Sequence, residues 1–552
     1  MSSSVPGGSP AHGTLTIDGV TGELGPEQSL FERAEALGIH VPTSCVKQGK
    51  CRECLVEVEA GGELLSPPAP QERHLEGRFR LACRAHLVAP GEVRCHTLRR
   101  GALRIETETE GLDDSRLRLD PAVTRDGRHV LLDGEPLAEA DGPLHGLAVD
   151  VGTTTVALRL YDLDSGRLVA THSFENPQRF GGSDIMARIH YDGEHRGRLL
   201  QRTLLGYLTR AITTLPADPL TIYELVVVGN PTMRDLCFGL DVQPIGVMPY
   251  RSTTEAALHD GRAATTSLSV EARRLRLPVF PRARVHGLPL VGSHVGADAA
   301  ACLLATGIGE RDELAAIVDI GTNTEAFIGN RSRLLAASCP AGPAFEGGGV
   351  SFGMPALTGA VERIRLLEDG AVALEVVGDA EPIGLCGSGL VDLLSELRRT
   401  GRMNGQGRFV DDSHAFELGH GLSLSEADVN ELAQAKGANA AGVRVLAETY
   451  GVPLSRIDRL YLAGGFARHI DVAAARRIGL VPDLPNESIV KVGNAALLGA
   501  SMALLSRSRR AELEALVRRV EHVRLETHPH FFEFFVEGCQ LEPFGAEALQ
   551  AG

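Results

Sequence analysis

Two stretches of this chain, about 170 residues apart, carry one pattern: Leu147-Ala-Val-Asp-Val-Gly-Thr-Thr-Thr and Ile317-Val-Asp-Ile-Gly-Thr-Asn-Thr. In each, an apolar run with an aspartate inside it breaks at Gly-Thr and resumes as an alternating run. That is the signature of a strand, a tight turn and a second strand. Each half then reaches a further strand, a glycine turn and a helix: Val226-Val-Val-Gly-Asn in the first, Leu460-Tyr-Leu-Ala-Gly-Gly-Phe in the second. Repeating such a unit constrains the chain to two similar α/β lobes. Facing lobes enclose a cleft, the usual seat of a ligand.

At 552 residues and 43% hydrophobic content, the chain can build several cores. Disorder, collagen and a small disulfide scaffold are excluded as descriptions of the whole. Residues 146–310 and 311–552 read as the two lobes. Residues 14–99 read as a separate sheet-plus-helix unit: Thr14-Leu-Thr-Ile-Asp alternates, Gly19–Gly25 turns, Glu27–Leu37 has helical spacing, and Leu55–Glu59 and Gly91–Leu98 alternate again. Residues 1–13 read as a disordered lead. Residues 100–145, rich in Glu and Asp, read as a linker with a strand or two. The aromatics at 531, 532, 534 and 535 point to a core strand over His528–Glu537. The longest apolar run, about Asn494–Leu505, is too short to cross a bilayer. The first residues lack a signal-peptide pattern, so a cytoplasmic location is expected.

Four of the ten cysteines cluster: Cys45, Cys51 and Cys54 in Cys-x5-Cys-x2-Cys spacing, then Cys83. Three close thiolates plus a distant one suit a [2Fe–2S] cluster, with a loop around the irons and a later segment closing the site. Lys47 and Lys50 add positive charge beside it. A zinc site and scattered core cysteines are the alternatives; zinc favours two Cys-x2-Cys knuckles and only one is present. Cys95, on an alternating strand, reads as packing. Cys237, Cys302, Cys339 and Cys539 read as isolated positions, and Cys386, in Cys-Gly-Ser-Gly, as a helix-start cysteine that is more readily packing than reactive.

An aspartate on a buried strand followed by Gly-Thr suits phosphate binding. Turn amides and hydroxyls donate to phosphate oxygens, and the carboxylate holds a hydrated Mg²⁺. One copy also occurs as an ordinary hairpin turn. Two copies, with Ala463-Gly464-Gly465-Phe466 after a strand, make the stronger case for a nucleotide cleft.

Residues 14–99 resemble ferredoxins of the plant and adrenodoxin type, the x5 spacing being the adrenodoxin-like variant. The remainder resembles the superfamily of acetate kinase, sugar kinases, Hsp70 and actin. The fusion as a whole resembles the reductive activators of corrinoid proteins. That likeness is carried by Asn176-Pro-Gln with Gly182-Ser-Asp-Ile-Met-Ala-Arg-Ile, Gly229-Asn-Pro-Thr-Met, Gly292-Ser-His-Val-Gly-Ala-Asp, Ala341-Gly-Pro-Ala-Phe-Glu-Gly, Leu385-Cys-Gly-Ser-Gly-Leu-Val-Asp, Ala435-Lys-Gly-Ala and Val492-Gly-Asn-Ala-Ala. One departure is Thr324, where members often carry glycine.

The resemblance implies a small α+β β-grasp ferredoxin domain ahead of an α/β body of two RNase H-like lobes. It implies that Asp150, Gly152, Thr153 and Thr154 form one phosphate loop and Asp319, Gly321, Thr322 and Asn323 the other. Asp150 and Asp319 would be the catalytic carboxylates, and Gly464 and Gly465 would face adenosine. Glu325 and Glu346 are secondary candidates for placing Mg²⁺ or water; His294 reads as a satisfied polar group. The expected cofactors are a [2Fe–2S] cluster on Cys45, Cys51, Cys54 and Cys83, ATP and Mg²⁺.

The expected activity is ATP-dependent return of Co(II) to Co(I) in a corrinoid protein of a methyltransferase system. An upstream protein would supply the electron, and a homodimer is left open. A sugar-kinase-type enzyme with an accessory redox domain, or an electron carrier whose actin-like part only mediates assembly, are the competing readings. The net charge of −16 argues against nucleic acid or an anionic membrane as partner.

Overall fold

The computed structural model describes residues 12–25, 28–39, 41, 47, 54–75, 77–98, 118–195, 197–411, 413–465 and 467–545. The expected lead at 1–13 lies almost wholly outside them; Gly13 already belongs to the first strand.

The N-terminal unit is a mixed five-stranded sheet in the spatial order Val20–Leu24, Gly13–Ile17, Glu92–Thr97, Leu55–Ala60, Phe79–Leu81. Residues 20–24, read from sequence as part of a turn, form the edge strand of a hairpin with the first strand. The helix Leu30–Ala36 starts at a capping box, Ser29 receiving the Glu32 amide and Glu32 receiving that of Ser29. It buries Leu30, Phe31 and Ala34 against the sheet.

The two lobes are built alike. The first orders its strands Leu168–Glu175, Thr155–Asp162, His145–Val151, Ile222–Val228, Arg284–Gly287, Leu268–Glu271. The second, taken in the same sense, runs Val520–His522, Leu334–Cys339, Thr324–Gly329, Ala315–Ile320, Arg459–Ala463, Ile489–Gly493. In both, the aspartate-bearing strand pairs antiparallel with its hairpin partner on one side and parallel with a crossover strand on the other. The repeat in sequence is therefore a repeat in topology.

Two helices join the lobes. Ala297–Thr306 and Ala495–Leu505 share one core with both sheets, Val226 and Ala148 on one side and Ile317 and Tyr461 on the other. All eleven residues of Ala495–Leu505 are buried, which explains why this run is the most apolar of the chain. The helices approach closely because Gly499 has no side chain: a Cβ there would sit 2.0 Å from the Ala301 carbonyl oxygen.

Two sequence expectations change. The interval read as linker holds a three-stranded antiparallel meander, Val123–Asp126, His129–Leu132 and Glu135–Glu139. Its buried apolar residues Val123, Val130 and Leu137 enter the interlobe core, with Leu132 and Ala138 packed against it, and Arg284 pairs with Asp133 to fasten it. The tail read as a core strand is a helix, Phe531–Gly538. Phe531 and Phe534 pack on the second lobe, whereas Phe532 is 75% exposed. The aromatics at 531, 534 and 535 sit at helical spacing, which a short apolar run shares with a buried strand. Buried Lys436 clasps this helix by donating to the Gly538 carbonyl.

Gly499→Leu should force the two helices apart and lower stability by ~1–3 kcal/mol, the usual cost of overpacking. Thermal unfolding would register it as a fall in the midpoint of the two-lobed body; an unchanged midpoint would contradict the close approach.

Candidate functional site

Both hairpin turns meet across a cavity of about 220 Å³ between the lobes. Asp150, Gly152, Thr153, Thr154, Asp319, Gly321, Thr322, Asn323, Gly464 and Gly465 all line it. The turns are tight for local reasons. Gly152 donates its amide to the Thr155 carbonyl at 2.9 Å, and a Cβ on it would lie 2.6 Å from that oxygen. Gly464 has φ +106° and would place a Cβ 2.2 Å from the Ile320 carbonyl, so only glycine fits there. Gly465 has open space where a Cβ would stand, leaving backbone to face whatever enters.

The first loop is held from behind. Asn176 donates its side-chain amide to the Gly152 carbonyl at 2.8 Å, and its backbone amide donates to the Thr154 carbonyl at 2.6 Å. Asn230 donates to the Thr153 hydroxyl at 3.0 Å. The two loops also share a partner. Thr154 donates to Glu346 Oε2 at 2.8 Å, and the Thr322 hydroxyl donates to the same oxygen.

Carboxylates crowd the floor: Asp150, Asp298, Asp319, Glu325 and Glu346. Burial pushes the Asp150 carboxyl up to about 7, against the stabilising hydrogen bond from Asn494 at 2.9 Å, with Asp319 adding repulsion. Burial raises Asp298 to about 8, with Asp150 and Asp319 pushing the same way. Burial likewise lifts Asp319 to about 6 and Glu325 well above the usual carboxylate range. Glu346 is raised by burial and partly restored by Thr322 and Thr154. Acidic groups desolvated together, with Asp150, Asp298 and Glu325 also made less acidic by neighbouring carboxylates, are the donor set a hard divalent cation requires. Asp150, Asp298 and Asp319 could hold hydrated Mg²⁺, and the loop hydroxyls and amides could hold phosphate oxygens.

Sequence reasoning missed Asp298, although the Gly-Ala-Asp in which it lies was among the singled-out motifs. It also took Cys302 for an isolated position, whereas its thiol lies 3.3 Å from Asp319 Oδ2. Cys386 is buried at the helix start and donates weakly to the Val361 carbonyl at 3.4 Å. Thr324 opens its strand fully buried.

At the other site, Cys45 and Cys51 lie outside the described residues. Cys54 and Cys83 are buried with their sulfurs 3.3 Å apart. Strand register explains this: Leu55 pairs with Leu81, and the Ala82 amide donates to the Cys54 carbonyl at 2.7 Å. Two thiols converging just past the ends of paired strands fit the donor chemistry of an iron–sulfur cluster. Cys95 is buried on its strand, its thiol pushed up by burial. Lys47 is turned to Glu35 at 2.7 Å and over the Phe31 ring.

A two-lobed ATPase of the actin-like class with a ferredoxin-type domain in front is the protein these sites define. The chain belongs to the RACo family. Residues 145–311 match the RACo middle region, residues 313–550 the C-terminal ASKHA domain of RACo, and residues 15–88 the 2Fe-2S iron-sulfur cluster binding domain. Corrinoid activation enzyme RamQ of Eubacterium limosum is 29% identical over 93% of this chain and 96% of its own length. The [Co(II) methylated amine-specific corrinoid protein] reductase of Methanosarcina barkeri is 24% identical over 72% of this chain and 77% of its own. A solved structure of a reductive activator for corrinoid, iron-sulfur protein superposes with a TM-score of 0.69 at 27% identity, covering 96% of this chain and 98% of that one. The cofactors are thus a [2Fe–2S] cluster, ATP and Mg²⁺.

Two outcomes are expected. Iron and sulfide analysis should give about two of each per chain, lost in Cys54→Ser and retained in Cys95→Ser. For Asp150, a carboxyl that binds its proton more tightly when folded loses stabilising contribution as pH rises, here from about 4 to about 7. Metal-free protein should therefore unfold at falling temperature across that window, less steeply in Asp150→Asn. Equal slopes for the two proteins would contradict the assignment.

Proposed function

We propose that this chain is an ATP-dependent reductive activator that returns Co(II) of a corrinoid protein to Co(I) for methyl transfer. One observation carries the reading: a single polypeptide joins the Cys54–Cys83 site to the carboxylate-floored cleft, in the arrangement of relatives described as a corrinoid activation enzyme and a Co(II) corrinoid protein reductase.

The [2Fe–2S] cluster would supply one-electron chemistry, at about −400 mV in plant-type centres. Reduction of Co(II) to Co(I) takes one electron, and an upstream donor restores it. Cys45, Cys51, Cys54 and Cys83 hold the cluster. Asp150 and Asp319, with Asp298 beside them, hold hydrated Mg²⁺ and orient water toward the terminal phosphate. Gly152, Thr153 and Thr154 from one lobe and Gly321, Thr322 and Asn323 from the other donate to phosphate oxygens. Gly464 and Gly465 give close backbone approach to adenosine. Closing the lobes on nucleotide shifts the population toward the state that carries the reaction uphill, an effect bounded by the difference in ATP affinity between states. None of the helices among the described residues is long and apolar enough to cross a membrane, and we place the reaction in the cytoplasm.

Prereduced protein mixed with a Co(II) corrinoid protein should form Co(I), read by its absorbance, strongly with MgATP and weakly without. Asp319→Ala should lose the ATP effect and keep the cluster spectrum. Equal Co(I) formation in all three cases would remove the role of the ATPase lobes.

A further inference from the structure

The segment behind the first phosphate loop also touches the ferredoxin domain. Within five residues, Glu175–Arg179, the chain does two things. Asn176 holds the loop through the Gly152 and Thr154 carbonyls. Three residues on, Arg179 reaches Glu57 Oε2 of the ferredoxin sheet at 3.0 Å, while its other nitrogen donates to Glu175 at 2.7 Å. Glu57 and Glu175 are each 3% exposed. Glu57 also meets Arg78 at 3.2 Å, but that arginine is largely in solvent. Arg179 thus carries a cation across between the domains to a nearly buried carboxylate.

The same face carries a ring contact. Tyr191 stacks on His195 at 4.1 Å, and His195 meets His74 of the ferredoxin domain at 6.3 Å. Phe180, next to Arg179, packs edge-on to Tyr191 at 5.4 Å. The buried apolar residues of the ferredoxin unit and of the first lobe form one continuous cluster. The dock has a direct line to the redox site as well, because Glu57 lies on the strand that begins at Leu55, immediately after Cys54.

We propose that Glu175–Arg179 is a coupling element and Arg179 a positioning residue: it docks the ferredoxin domain through Glu57, so that nucleotide at the Gly152–Thr154 loop and the ferredoxin domain at its dock act on each other. The connection is short and stiff. Asn176 opens a 3-10 turn, Pro177–Gly181, by accepting the Gln178 amide, and Pro177 stands at its first position. A displacement of the loop therefore moves Arg179 with little slack. Linkage makes the effect reciprocal: whatever nucleotide does to docking, docking does to nucleotide affinity. This rests on the cleft binding nucleotide as set out under the proposed function, and it adds the route by which the ferredoxin domain senses it.

Hydrogen-exchange mass spectrometry on the full chain, with and without a non-hydrolysable MgATP analogue, tests it. The expected wild-type result is that the analogue protects the loops at 152–155 and 320–323 and also changes exchange over 55–60, which does not line the cleft. Arg179→Gln should raise exchange over 55–60 by about ten-fold or more, since the ion pair that spans the two domains at a nearly buried carboxylate is lost, and should erase the response there while loop protection persists. Arg179→Lys, which keeps a cation between Glu57 and Glu175, should keep the response, a retention that a merely structural defect at this position would not show. Visible circular dichroism of the cluster reports whether each ferredoxin domain is folded, and Glu57→Gln, which removes the other partner, should lose the response as Arg179→Gln does. Loop protection without any change at 55–60 in the wild type, or an unaltered response in Arg179→Gln, would overturn the coupling. Absence of loop protection would instead overturn the nucleotide reading, and the coupling with it.

Discussion

The close approach of two helices at Gly499 and Ala301 is the contact on which the rest depends. Each helix follows the last parallel strand of its own lobe or lies just beyond it, and together they form the wall that both sheets share. Interiors pack at crystal-like density, so such a wall transmits displacement instead of absorbing it. A side chain at Gly499 would widen the wall, and the hairpin turns, which meet at hydrogen-bond distance through Thr154 and Thr322 at 3.2 Å, would separate with it. The cleft is thus set by backbone proximity about one helical turn from its lining residues Asp298 and Ala496.

Within that frame the lobes bring together groups that repel. Asp150 sits close enough to make the ionisation of Asp298 harder, and Asp319 adds to both. Polar groups arranged against their own stability are a familiar mark of a binding site, because the ligand supplies what the protein lacks. The same principle does not extend to the ferredoxin domain. There the two described thiols are brought together by ordinary strand register, and the apolar core around them needs nothing further to be satisfied.

Much of this was readable beforehand, for identifiable reasons. The repeated Asp-x-Gly-Thr pattern joins a strand period, a turn residue and a polar residue in one short string, so both loops could be located without coordinates. Of the four cysteines expected as ligands from their spacing, Cys54 and Cys83 converge; Cys45 and Cys51 lie outside the described residues. What escaped was contact between distant segments. Glu346 stood among the candidates only as a secondary one, since its bridge to Thr154 and Thr322 depends on how the lobes face each other. Asp298 begins a helix far in sequence from Asp150. The meander at 123–139 hid because three buried apolar residues suffice once a larger core receives them. The tail hid for the opposite reason: Phe-Phe-Glu-Phe-Phe is apolar enough to satisfy two periodicities, and only the second lobe, receiving Phe531 and Phe534 and leaving Phe532 outside, decides between them.

The carboxylate of Glu346 has one more consequence. It receives hydroxyls from both lobes, on the same oxygen. A phosphate oxygen that claims Thr154 and Thr322 must evict it, trading one anion for another on the same two donors. Glu346 would thus compete with any anion that seeks the same two hydroxyls. Neither hydroxyl need pass through an unsatisfied state, so loading and discharge become an exchange between rivals of like charge. The carboxylate, its proton affinity already raised by burial, would stay on the cleft floor within reach of both donors once they are free again.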